Sequence, residues 1–311
     1  MTHTLRFRED GSFKIVQFTD LHIGEDAKNT RDIKTLAGMD RVIEVEKPDL
    51  IVVTGDLIWS TEPKAEQNYT IVLDHLAKYD TPFAIVYGNH DSEANISREK
   101  LLELQQSYSK SMATRGPKDI EGIGNYTLTI KSSQDEKDKA LLYFFDSGDY
   151  APKEIGGYAW IRANQVSWFM SETNKFIKQH GRKLPTLAFF HIPLPEYKEV
   201  LQTGAVVGHK LEGVCSPVIN SGLFTAMREV GNVMGTFVGH DHDNDYCGLL
   251  RGISLCYGRA TGYNVYGDLP HGARVISLQE GDFCFESWVR QDDGEKTAYY
   301  THKHEIEALE L

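Results

Sequence analysis

The chain is poor in cysteine, short of positive charge and free of long apolar runs, and each shortage excludes something. Its four cysteines, Cys215, Cys247, Cys256 and Cys284, show no CxxC spacing and are too sparse for a disulfide framework. They read as buried free thiols in a reducing compartment, with a Cys215–Cys247 bridge left open because both lie near candidate site loops. Lysine and arginine number 33 against 45 aspartates and glutamates, a formal charge of −12. That balance argues against broad binding of a nucleic-acid polymer or an anionic membrane. No apolar run reaches the roughly 18 residues of a membrane span, and the opening MTHTLRFRED lacks the apolar stretch of a secretory signal. A cytoplasmic chain is the expectation. There is also no Pro/Gly/Ser linker, repeat or low-complexity tract, so a single domain over 1–311 is expected, with its core at about 13–290 and a polar tail at 291–311. Nothing in the composition speaks to oligomeric state.

What is present is a recurring local grammar. Phe83 to Tyr87 is an apolar run without helical spacing, read as a buried strand, and Gly88 ends it by permitting a backbone path that a Cβ would obstruct. Asn89, His90 and Asp91 follow at once. An amide, an imidazole and a carboxylate crowded at a strand end cost solvation that a core does not recover, whereas a metal or an anion would reward them. The pattern repeats: Phe13 to Asp20 runs on to His22, Leu50 to Asp56 passes through Gly55, Leu187 to His191 ends in an imidazole, and Gly235 to His242 ends in two. Asp20 and His22 are two apart, as are His240 and His242. In an extended backbone such residues share a side, so each pair is expected to grip one ion.

Between these strand ends the spacing is helical. Thr30 to Lys47 reads as an amphipathic helix stopped by Pro48, and Glu66 to Tyr79 as another, so Asp20, Asp56 and His90 recur at the interval of βαβ units. Gly24 to Asn29 is a polar loop, and Ser97 is the N-cap of a helix to about Lys110. Period-two alternation then takes over. Tyr126 to Ile130 and Ala140 to Phe145 predict an antiparallel pair, followed by a helix over Asn164 to His180, a long functional loop over Pro193 to Pro217, a short helix over Ser221 to Val230, and strands at Gly252 to Tyr257, Ala273 to Leu278 and Phe283 to Val289. The fold class is α/β: a mixed β-sandwich flanked by helices, its active site at the C-terminal ends of the strands, with the late strands forming a second sheet.

Taken in order, DLH at Asp20 to His22, GD at Gly55-Asp56, GNHD at Gly88 to Asp91, His191 after a strand and GHDH at Gly239 to His242 resemble the calcineurin-like metallophosphoesterase superfamily. The stretches NISRE (Asn95 to Glu99), FFHIPLPEY (Phe189 to Tyr197), GHDHDNDYCG (Gly239 to Gly248) and LCYGRATGY (Leu255 to Tyr263) are similar to its plant and fungal purple-acid-phosphatase-like branch, related to a yeast cell-cycle phosphatase. The resemblance implies one metal on Asp20, His22, Asp56 and His242, and a second on Asp56, Asn89, His191 and His240, with Asp56 bridging. Two cations about 3.5–4 Å apart lower the pKa of a shared water, so that a bridging hydroxide serves as nucleophile at neutral pH. Carboxylate and imidazole ligands suit Mn, Fe or Zn. His90 is the implied general acid for the leaving alkoxide, with Asp91 orienting its ring. One departure is that Trp59 stands where true purple acid phosphatases carry a tyrosine ligand, and His22 where they carry glycine, so no iron-tyrosinate centre is expected.

The function so implied is a phosphomonoesterase acting on a phosphorylated small molecule or protein. The alternative is a phosphodiesterase of the cyclic-nucleotide or glycerophosphodiester type, and a non-catalytic scaffold is the reading from a different class. Asn89, His209 and Arg259 are the candidate substrate contacts, with Lys210 and Tyr263 beside them, since a guanidinium forks well onto phosphate. Asp243 and Asp245 are candidates to orient His240 or His242.

Overall fold

Three apolar runs separated by amphipathic segments open the chain, and in the computed structural model, which describes residues 3–24 and 30–303, they become parallel strands. A short β1 (Leu5–Arg6) precedes β2 (Ser12–Phe18); α1 (Thr30–Glu46) leads to β3 (Leu50–Thr54), and α2 (Ala65–Leu76) to β4 (Phe83–Val86). β3 pairs in parallel with both β2 and β4. The α1 helix ends as Lys47 takes φ 48° just before Pro48. Ser97 caps α3 (Arg98–Gln106), its Oγ accepting from the Lys100 N–H at 3.3 Å. Of the polar loop expected after β2, residues 25–29 lie outside the described residues.

The middle of the chain supplies β5 (Tyr126–Lys131), β6 (Asp138–Phe144), α4 (Ala163–His180), β7 (Thr186–Phe189), α5 (Glu196–Glu199), β8 (Val206–Val207), α6 (Leu223–Val230), β9 (Val233–Val238), β10 (Cys247–Leu250) and β11 (Ile253–Tyr257). The end supplies β12 (Gly272–Gln279), β13 (Cys284–Gln291) and β14 (Lys296–Lys303). The strands form two sheets, ordered β14-β13-β12-β2-β3-β4 and β1-β5-β6-β7-β9-β11-β10-β8. This is the mixed α/β sandwich expected, with one change of partner. Of the late strands only β11 joins the second sheet: β12 runs antiparallel beside β2 and, with β13 and β14, widens the first. Alternation fixes which face of a strand is buried, not which strand lies beside it.

Two further expectations are corrected. The segment read as a polar tail holds β14, paired to β13 along its length. KTAYYTHK is polar or amphipathic on both faces of an edge strand, so no buried face shows in its sequence. The cysteines are not all free thiols, and Cys247 does not reach Cys215. Cys247 sits opposite Cys256 across β10 and β11, Cα to Cα 4.1 Å, and the two form a disulfide, while Cys215 and Cys284 are free.

Side-chain parity divides the core. Leu142 and Phe144 of β6, with Leu187 and Phe189 of β7, face the space between the sheets, whereas Leu141, Tyr143 and Ala188 face the outer layer with Phe169 of α4 and Met227 of α6. A file of rings crosses the inter-sheet space: Phe144 to Phe189 at 5.3 Å, Phe189 to Phe237 at 5.4 Å, Phe237 to Phe285 at 5.5 Å. Among the described residues no helix is long and apolar enough to cross a membrane.

At the far end of α1, buried Glu46 accepts from Trp288 Nε1 at 3.0 Å and Arg290 Nε at 2.7 Å, and pairs with Lys14 Nζ at 3.2 Å. Burial works against its charge, but these three donors outweigh it and hold the carboxyl below its ordinary value of 4.5. Glu46→Ala leaves partly buried cations without their acceptor and is expected to cost about 3 kcal/mol in chemical denaturation at neutral pH. A depressed carboxyl contributes stability above its unfolded pKa and loses it as pH falls through the folded one. The gap between parent and variant should therefore shrink on acidification below about 4.5; a gap that stays constant down to pH 3 would put the effect elsewhere.

Candidate metal centre

The strands that carry the site belong to both sheets, and their C-terminal ends meet. β2, β3 and β4 deliver Asp20, His22, Asp56 and Asn89; β7 and β9 deliver His191, His240 and His242. The loops are laced by backbone bonds: Asp20 N–H to Gly55 O at 3.1 Å, His22 N–H to Asp56 O at 3.0 Å, Gly239 N–H to His191 O at 3.1 Å. Such proximity demands glycine. A Cβ on Gly55, at φ 88°, would stand 2.6 Å from Gly88 N and from His191 Nδ1, and one on Gly88 would collide with the Asp56 carboxylate.

The backbone is not extended at the ligand pairs, which corrects the expected i, i+2 geometry. Asp20, His22, Asp56 and His240 have φ of 54°, 47°, 52° and 80°, a region sparsely used by residues other than glycine and costing of order 1–3 kcal/mol each. Two buried groups result, each with its ligand atoms within 4.8 Å of one another: Asp20 with His22 and His242, and Asp56 with His191 and His240. His240 and His242 are thus divided between the groups rather than gripping one ion together.

Within the groups, ring nitrogens and carboxylate oxygens face each other at short range. His22 Nε2 lies 3.3 Å from His242 Nε2, and His191 Nε2 lies 3.3 Å from His240 Nδ1. Asp56 Oδ2 stands between the groups, 3.1 Å from His191 Nε2 and 3.7 Å from His22 Nε2. Asp20 Oδ1 lies 3.5 Å from His242 Nε2. Asn89 Oδ1, a pure acceptor, is buried with no hydrogen-bond partner. His191 donates Nδ1–H to the Thr54 carbonyl at 2.7 Å, which turns the Nε2 lone pair inward, as for a metal-ligating imidazole. Converging imidazole nitrogens and carboxylate oxygens, plus an orphaned amide oxygen, fit divalent cations in a way that hydrogen bonding among themselves does not.

Without cations the pocket is electrostatically split. Burial lowers His22 and His240 to about 3. Burial also opposes charge on His191, but the touching Asp56 carboxylate outweighs it and pushes that imidazole up to about 9, while Asp56 is held well below the usual carboxylate range.

Several expected roles are not met. Asp91 does not touch the His90 ring: it is buried and accepts the N–H groups of Gly88, Asp56, Leu57 and Ile58 at 2.8–3.2 Å, clamping the β3 and β4 loops together. Burial, then the neighbouring Asp56, push its pKa up to about 7. The ring partner is Glu93, whose Oε1 lies 3.0 Å from His90 Nδ1 and whose Oε2 accepts from Tyr150 OH at 3.2 Å. Tyr150 OH also accepts from Asn89 Nδ2 at 3.3 Å. Only the i+3 interval from His90 hinted at Glu93, and nothing in the sequence hinted at Tyr150. Arg259 does not face a phosphate; it is fully buried in an ion pair with Asp245 and donates Nη1–H to the Pro270 carbonyl. His209 is also tied to Asp245, Nδ1 to Oδ1 3.2 Å, and the backbone of Lys210 pairs with that of Asn244. Tyr263 OH donates to Asp292. Asp243 accepts the Asp268 N–H at 2.8 Å, so neither it nor Asp245 supports His240 or His242. Trp59 stacks on His22 at 4.0 Å, filling the tyrosine's place with a ring that cannot coordinate.

A sequence profile of the calcineurin-like phosphoesterase family matches residues 13–244. "Probable inactive purple acid phosphatase 29" of Arabidopsis thaliana is 36% identical, the match spanning 93% of this chain and 85% of that protein. "Phosphatase DCR2" of Saccharomyces cerevisiae is 32% identical over 95% of this chain and 56% of its own length. Among solved structures, a dimetal phosphatase from Danio rerio superposes with TM-score 0.66 at 14% identity, covering 94% of this chain and 99% of that one. The purple acid phosphatase PPD1 of yellow lupin gives 0.57 at 13% identity, over 95% of this chain and 54% of its own. At such identities these last two speak to the fold alone.

Proposed function

This chain belongs to the calcineurin-like phosphoesterase family, and from that premise we propose that it is a dinuclear metal-dependent phosphomonoesterase. The observation that carries the reading is the gathering of six buried carboxylate and imidazole side chains into two groups, with Asp56 Oδ2 close to a histidine of each and Asn89 Oδ1 left unpartnered. Asp20, His22, Asp56 and His242 would hold one cation; Asp56, Asn89, His191 and His240 the other. When bound, such ions supply an acidified water for attack and offset charge developing on the phosphoryl oxygens.

The chain's own side chains do the rest. Thr54 O fixes the tautomer of His191, and Asp91 fixes the Asp56 loop against the Asn89 loop. Glu93 accepts the Nδ1–H of His90, leaving Nε2 to hold the proton that the departing alkoxide takes. Three relatives carry "probable inactive" in their names. Against a non-catalytic reading of this chain stands its ligand set, in which every position the resemblance assigns carries a metal-competent side chain.

The test is metal analysis of the purified chain together with turnover of an aryl phosphate and a bis-aryl phosphate. Bound metal approaching two ions per chain with the monoester preferred is the expected result. Preference for the diester would convert the reading to a phosphodiesterase, and under one ion per chain with no turnover would convert it to a scaffold.

A further inference from the structure

Beyond the ligand histidines, rings and carboxylates frame this cleft. Trp59 lies 4.4 Å from His90 between ring centroids, Tyr158 meets His240 edge-on at 4.2 Å and stacks on Tyr150 at 5.8 Å, and Tyr266 covers His242 at 4.2 Å. The hydroxyl hydrogens of both outer tyrosines are already committed, Tyr150 to Glu93 at 3.2 Å and Tyr266 to Glu212 at 2.8 Å. What these residues offer a visitor is therefore ring surface, and they offer much of it: Tyr150 is 49% and Tyr266 58% exposed. Ile155 and Val218 are exposed as well, and Val218 lies 3.7 Å from where a Cβ on Gly157 would stand, so the apolar rim continues past Tyr158. Among the described residues, neither Glu93 nor Glu212 is paired with a lysine or arginine, and Arg259 is sealed away on Asp245.

An exposed apolar rim at the mouth of a polar site marks a binding surface. Glu93 and Glu212, which hold the two outer tyrosine hydroxyls, disfavour an anionic visitor, and of the arginines near Tyr150, Arg98 is committed to Asp146 and Asp149 while Arg162 lies over the Trp160 ring. The leaving oxygen must sit near His90, and Tyr150 is joined to His90 through Glu93, so the group attached to that oxygen emerges along the Tyr150–Tyr158 wall with Trp59 across from it.

We propose that this wall selects the leaving group: an uncharged aromatic alcohol esterified to the phosphoryl group, stacked on Tyr150 and Tyr158. The proposal rests on the phosphoesterase reading of the same site. Alkyl esters and aromatic esters carrying a further anion are the poorer ligands.

The test measures binding rather than turnover. Methylphosphonate, benzylphosphonate and 4-carboxybenzylphosphonate are titrated calorimetrically into the manganese-loaded full chain, with inorganic phosphate as reference. Benzylphosphonate is expected to bind roughly tenfold tighter than methylphosphonate, the gain typical of one well-placed ring contact, and the added carboxylate to remove most of that gain. Tyr150→Ala should bring the benzyl-to-methyl ratio to within about twofold. Tyr150→Phe, which keeps the ring but not the hydroxyl on Glu93, should retain the ratio, as should Tyr266→Ala on the opposite side. Equal binding of the two phosphonates to the parent, or a ratio that survives Tyr150→Ala, overturns the proposal and leaves the phosphoesterase reading standing. If neither inorganic phosphate nor methylphosphonate binds, the phosphoesterase reading itself fails and takes this proposal with it.

Discussion

Asp56→Asn is expected to lower phosphoester turnover by at least about a thousandfold, and to leave the chain with one bound ion or none. Asp56 reaches the imidazoles of both groups, its Oδ2 3.1 Å from His191 Nε2 and 3.7 Å from His22 Nε2, while Oδ1 accepts the His90 N–H at 2.8 Å. Asparagine matches its shape and can keep the Oδ1 contact, but it places either an uncharged oxygen or an NH2 where the shared anion stood. Five further ligand candidates remain in the two groups, so the loss would report the bridge rather than a general collapse. The metal-free protein supplies a second, independent readout. There the Asp56 carboxylate supports the charge on His191, pushed up to about 9, and removing one member of a buried pair costs about 3–5 kcal/mol. Thermal unfolding in chelator should therefore show the variant less stable than the parent. Metal content by elemental analysis, turnover and unfolding in chelator together decide the matter: a variant that keeps both ions and loses only rate would move the bridging role off Asp56.

How far this centre could be read from the sequence follows from what each signal physically encodes. An apolar run that stops at a carboxylate or imidazole says that a polar group sits at a strand end, and Asp20, Asp56, Asn89, His191, His240 and His242 were all found in that way. Their grouping does not follow from spacing, although the family resemblance divides His240 and His242 in the same way: the strands deliver the ligands from two sheets, and the i, i+2 rule presumes an extended backbone. With His22 at φ 47° and His240 at φ 80°, the chain turns sharply where alternation was assumed. The same limit explains Asp91 and Glu93. The nearer carboxylate is taken by four backbone N–H groups, a demand created by the approach of two loops and invisible in a linear string, so the ring of His90 finds the carboxylate three residues on. Arg259 reads as a phosphate ligand because guanidinium groups often are; burial with Asp245 uses it instead to brace the loop after His242. Pairing partners were the other blind spot. The neighbour of β2 is β12, Gln17 lying opposite Arg274 far along the chain, and no local pattern names it.

His90→Asn is expected to slow hydrolysis of an alkyl phosphate by roughly 10²–10⁴-fold, the usual value of a positioned general acid, while an activated aryl phosphate such as nitrophenyl phosphate loses far less. An alkoxide is too basic to depart without a proton, whereas a nitrophenolate departs unaided, so the deficit should grow as the leaving group becomes more basic. Asparagine keeps the backbone N–H that Asp56 Oδ1 accepts, which separates the imidazole's role from the loop's. The indole of Trp59, 4.4 Å from the ring of His90, and Glu93 at 3.0 Å from Nδ1 restrain the imidazole from two sides. Glu93→Gln should fall between parent and His90→Asn: the amide oxygen still accepts from Nδ1–H but carries no charge to steady an imidazolium, a loss of about tenfold on the alkyl ester. The decisive plot is turnover rate against leaving-group pKa for these three proteins, with Asp91→Asn beside them as a control. A slope steepened in His90→Asn and partly steepened in Glu93→Gln assigns the proton to His90 Nε2 and the orientation to Glu93. Three parallel lines would assign the proton to another donor, and a slope changed by Asp91→Asn but not by Glu93→Gln would return the orienting role to Asp91.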